Sequence, residues 1–93
     1  MTDSIKTDVR SFIEENFLFH MENVELSDSD SLLEAGVVDS TAVLELVGFL
    51  EDKYRIQLED REIIPQNLDS IKVIASFVKG KLYLQQEAIR RSA

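Results

Sequence analysis

The sequence predicts an all-α fold: a small four-helix bundle of three long helices and one short one, with a long first loop. Three stretches carry this expectation, Ile5-Val9-Phe12-Ile13-Phe17, Val43-Leu46-Val47-Leu50-Tyr54 and Ile71-Ile74-Ala75-Val78-Leu82, because each repeats its apolar residues at helical spacing. Strand-like alternation is confined to Arg55-Ile56-Gln57-Leu58. A chain of 93 residues with 44% hydrophobic content has enough for one core and no room for a second domain.

In order, Asp3 is placed to cap the first helix, whose wet side carries Lys6, Arg10, Glu14 and Glu15 and whose end falls near Leu18. A loop of about 20 residues follows, a length uncommon in a compact domain unless the loop is packed or functional. Phe19, Met21, Val24, Leu26, Leu32 and Leu33 are its expected inward anchors. Val38 and Val43 then flank a cap at Asp39 in the positions of a hydrophobic staple, which puts Ser40 at the first helical position. The second helix runs to about Tyr54. Gly48 in mid-helix, at a cost of about 1 kcal/mol against alanine, hints at a close approach, and Phe49 is expected to bury itself. Asp60 to Ile64 makes one short turn that Pro65 helps to stop, and a staple of Leu68 and Val73 around a cap at Asp69 opens the last helix. The expected domain spans 1–84, with 85–93 a fraying tail.

Net charge is −8, but residues 11 to 52 hold eleven acidic side chains and no lysine or arginine. From Lys72 onward Lys72, Lys79, Lys81, Arg90 and Arg91 face Glu87 alone. An acidic half repels phosphate backbones, which argues against nucleic acid, and steers basic protein surfaces toward Ser40. In its plainest reading it is a solvated face. No apolar run approaches a membrane span, the N-terminus lacks signal-peptide character, and the absence of cysteine suits a reducing compartment, so a cytoplasmic monomer is the expectation.

Catalytic sets are scarce. The only histidine, His20, lies in the loop with nothing to complete a zinc set, and no base accompanies a serine nucleophile. Adjacent acids such as Glu14 and Glu15, or Glu51 and Asp52, point about 100° apart on a helix and do not form an acid–base pair. Asp28, Asp30 and Asp39 faintly resemble a calcium loop, but Leu33 stands where glycine is needed and no glutamate closes it. Neither a catalytic residue nor a metal is expected.

Ser40 is the candidate for function, since a helix N-terminus gathers unpaired N–H groups and the positive end of the dipole, which favour an attached or docked phosphate. Leu33-Glu34-Ala35-Gly36-Val37-Val38-Asp39-Ser40, together with the apolar stripe after it, Ile56-x-Leu58 and Asn67-Leu68-Asp69-Ser70-Ile71, resembles the acyl carrier protein family from about Val9 to Leu82. The resemblance implies an acyl-carrier-like bundle and a 4′-phosphopantetheine, taken from coenzyme A, on Ser40, with Asp39 and Thr41 as motif neighbours. Thr41 stands where the family usually has leucine. The implied partners are a phosphopantetheinyl transferase, an acyl- or aminoacyl-loading ligase and downstream acyl-processing enzymes. Val37, Leu44, Glu45, Glu51 and Asp52 are the docking candidates. The mixed charge of the second helix, where Lys53 joins the acids, leans toward a specialised polyketide, nonribosomal peptide or other secondary pathway. An alternative from another class is an unmodified helical adaptor that binds a partner through the acidic face of the second helix, Ser40 only starting that helix.

Overall fold

Helix α1, Thr2–Ile13, opens one residue before the expected cap at Asp3 and turns Ile5, Val9 and Ile13 into the core. In the computed structural model, which describes residues 2–18 and 25–92 and the side chains of 4–18 and 25–88, the backbone then widens into a π turn over Glu14–Leu18 that keeps Phe17 buried. A single wide turn leaves the apolar spacing almost unchanged, so periodicity does not announce it. Phe19, His20, Met21 and Val24 lie outside the described residues.

Helix α2, Ser40–Tyr54, starts where expected and buries Leu46, Val47 and Leu50. It ends on Arg55 in the left-handed region, φ 57°. Ile56 is then buried and Leu58 half-buried while Arg55 and Gln57 are exposed, as the alternation requires. Asp60–Glu62 forms a short 3-10 turn, entered through reciprocal bonds between Glu59 and Glu62.

Two expectations fail here. Pro65 does not stop an element; it starts helix α3, Pro65–Leu68, where a fixed φ and a missing N–H cost nothing at the first helical position. Asp69 does not cap the last helix either, since that bond comes from Ser70, whose hydroxyl oxygen accepts from the Val73 N–H at 3.2 Å. Helix α4, Ile71–Ser92, then continues unbroken through most of the stretch expected to fray. At about 1.5 Å per residue it is roughly 33 Å long, so its last turns run past the core and leave Tyr83 and Leu84 more than 60% exposed.

The layers are simple: α1 packs chiefly on α4, α3 sits on the start of α4, and α2 closes the bundle. Leu32 reaches in from the loop to join Ile13, Leu46, Leu50, Ile71 and Ile74 as fully buried side chains. Phe49 stacks on Phe12 with ring centroids 4.2 Å apart. Gly48 meets nothing: a Cβ built there has no neighbour within 4 Å, so the glycine marks no close helix approach. Among the described residues there is no strand, and no helix is long and apolar enough to cross a membrane. The molecule is a small helical bundle.

Candidate functional site at the start of α2

The loop leading to Ser40 is held by other elements. Arg10 on α1 donates to the Leu26 carbonyl at 2.7 Å and to Asp28 Oδ1 at 2.6 Å, with Lys6 3.6 Å from the same carboxylate. The Lys72 N–H, at the start of α4, donates to the Asp28 carbonyl at 2.9 Å. The Arg10 hydrogen bond, assisted by Lys6 and opposed by burial, holds the Asp28 carboxyl below its ordinary range. Asp30 accepts from the Ser27 N–H, and Asp39 from that of Ala42. The three acids of the calcium-like spacing therefore each serve a protein donor, and among the described residues no His, Asp or Glu cluster is arranged to hold a metal.

Ahead of α2 the chain folds back on Leu32. The N–H groups of Val37 and Val38 both donate to the Leu32 carbonyl, at 3.0 and 3.3 Å, and Gly36 supplies the positive φ of 73° that this reversal needs. Asp39, in extended conformation, accepts the Ala42 N–H on its carboxylate at 2.8 Å and the Val43 N–H on its carbonyl at 2.9 Å. Ser40 follows as the first helical residue and is exposed, as the sequence predicts.

Residues on either side of it in sequence line an apolar cavity of about 80 Å³. Val38 and Val43, which straddle Ser40 in sequence, form one wall; Leu32 and Leu33 form a second; Ile63, Ile64, Pro65, Leu68 and Asp69 form the third. Residues far apart in the chain build this space, and it is not evident from the sequence. Leu33, expected as an inward anchor, stands 47% exposed at the edge of the cavity.

The docking candidates separate by burial. Val37 is a core residue, only 6% exposed, because its N–H bond to Leu32 draws it under the loop; it is removed from the docking set. Glu51 is half-buried and its carboxylate accepts the Leu58 N–H at 2.9 Å, so it fastens the chain after α2. Leu44, Glu45 and Asp52 are exposed, and with Thr41 and Gly48 they form one continuous stripe running down α2 from Ser40. Away from this surface, the Tyr54 hydroxyl donates to Asp8 at 3.0 Å; burial, then that carboxylate, push the phenol well above its ordinary range. Compared with models of known protein families and with characterised proteins, the chain matches none.

Proposed function

We propose that this chain is a discrete acyl carrier protein, modified on Ser40 and not itself catalytic. The observation that supports the reading best is the pairing of an exposed serine at a capped helix start with an apolar cavity lined by Val38 and Val43, which lie on either side of it in sequence. A 4′-phosphopantetheine joined there supplies a thiol on a flexible arm, which carries acyl or aminoacyl groups as thioesters. Ser40 contributes the attachment oxygen, which gives up its proton and displaces adenosine 3′,5′-bisphosphate from the pyrophosphate of coenzyme A, while a phosphopantetheinyl transferase contributes the base and the metal. The first turn of α2 favours the phosphodiester through its dipole and its N–H groups.

Loading ligases and acyl-processing enzymes then meet the cargo in a docked complex, where tethering raises effective concentration. The stripe of Thr41, Leu44, Glu45, Gly48 and Asp52 suits that docking, being exposed, acidic and continuous with Ser40. The apolar lining of the cavity suits the hydrocarbon part of an acyl or aminoacyl group.

The test is to incubate the purified chain with coenzyme A and a broad-specificity transferase and to weigh it. The chain is expected to gain the mass of one arm, and Ser40→Ala none. An adaptor that binds partners without modification stays unchanged in both forms.

A further inference from the structure

We infer that Asp69 is a positioning residue for loading at Ser40, clasping the loop ahead of α2 to the start of α4; this rests on the carrier reading. The residue precedes Ser70, which already caps α4, so its carboxylate is surplus to that helix. Instead it reaches across the fold. Oδ2 accepts from the Ser31 hydroxyl at 2.6 Å, Oδ1 accepts from the Leu33 N–H at 3.0 Å, and the Asp69 carbonyl accepts from the Leu32 N–H at 2.7 Å. Three consecutive loop residues thus close on one residue from a distant part of the chain.

From this clasp hydrogen bonds run through the loop as far as Val38, two residues before the attachment point. The Ser31 oxygen accepts from the Glu34 N–H at 3.1 Å, which folds the turn. The Leu32 carbonyl then accepts from Val37 and Val38, directly before the Asp39 cap and Ser40. The same clasp borders the cavity, because Leu32, Leu33, Val38 and Asp69 all line it. Alanine at 69 would leave the half-buried Ser31 hydroxyl and the Leu33 N–H without their acceptor. Asparagine keeps an acceptor for Leu33 and offers a donor to Ser31 in the same shape.

Asp69→Ala, Asp69→Asn and Ser31→Ala are compared with Val9→Ala, a core truncation in α1 that serves as a stability control. Amide hydrogen exchange and the kcat/KM of transferase loading are read alongside Tm. Asp69→Ala is expected to speed exchange at Leu33, Val37 and Val38 on the order of tenfold and to lower loading by about the same factor. Ser31→Ala should fall between it and wild type, Asp69→Asn should recover both readouts to within about threefold, and Val9→Ala should lower Tm with loading unchanged. Wild-type loading by Asp69→Ala, a loss in Val9→Ala that tracks Tm equally, or no rescue by asparagine overturns the inference. If the wild-type chain takes no arm from any transferase, the carrier reading and the loading role fall together; exchange then shows separately whether the clasp itself exists, and unchanged protection in Asp69→Ala removes that too.

Discussion

Asp39 and Ser70 cap their helices by the same bond, a side-chain oxygen accepting the N–H three residues on, yet only Asp39 sits beside a candidate site. Asp39→Ala should cost about 1 kcal/mol, which in a domain of this size lowers Tm by roughly 4–8 °C. Asp39→Asn keeps the cap and should melt near wild type; a drop in transferase loading in that variant without a drop in Tm would assign the carboxylate to enzyme recognition. Gly48 carries a prediction of opposite sign. Its Cβ position is open and its helix interior is exposed, so Gly48→Ala should stabilise by about 0.5–1 kcal/mol in urea titration, since alanine loses less backbone freedom. Ser40 was legible in the sequence because cap, staple and stripe all lie within a few residues of it. The fate of Val37 was not: an apolar residue next to a turn reads alike whether it faces solvent or slides under Leu32.

At the scale of elements, the short segment between α2 and α4 forms one wall of the cavity and is tied down by Glu62. That carboxylate accepts from the Glu59 N–H and from Lys81 of α4 at 2.9 and 3.2 Å, with both partners of the ion pair about one-fifth exposed. The Glu59 N–H first, and Lys81 next, hold the Glu62 carboxyl below its ordinary 4.5. A group depressed in the folded state binds fewer protons there than in the unfolded chain, so its stabilisation is complete above 4.5 and is lost as pH falls through the lower folded value. Lys81→Met should therefore reduce stability near neutral pH and flatten the acid limb of a denaturation profile, leaving the part due to Glu59. The same segment shows why element boundaries were harder to read than element cores. A proline after two isoleucines suits both the end of one helix and the first position of the next, and only the return of the chain onto α4 selects the second.

For the whole molecule, charge and shape act together. The acidic stripe of α2 lies in the half of the sequence without lysine or arginine up to Asp52, while α4 carries Lys72, Lys79 and Lys81. On the carrier reading proposed above, this charge would steer a basic enzyme surface toward Ser40, and exposed charges are screened within about 10 Å at 0.1 M salt. Transferase kcat/KM should fall as salt rises, and the double variant Glu45→Gln with Asp52→Asn should lower it at low salt and flatten the dependence. Stopped reactions weighed across a salt series give both slopes.

The helical class, the position of each long helix and the presentation of Ser40 were determined by the sequence alone. These features depend on residues three or four apart, where local spacing and capping chemistry leave little choice. The apolar cavity, the Asp69 clasp, the anchoring of Glu51 on Leu58 and the burial of Val37 were decided only by the tertiary structure. Packing α4 against the loop brings together groups that local spacing never relates, and a polar side chain bonds the donors that this packing brings within its reach.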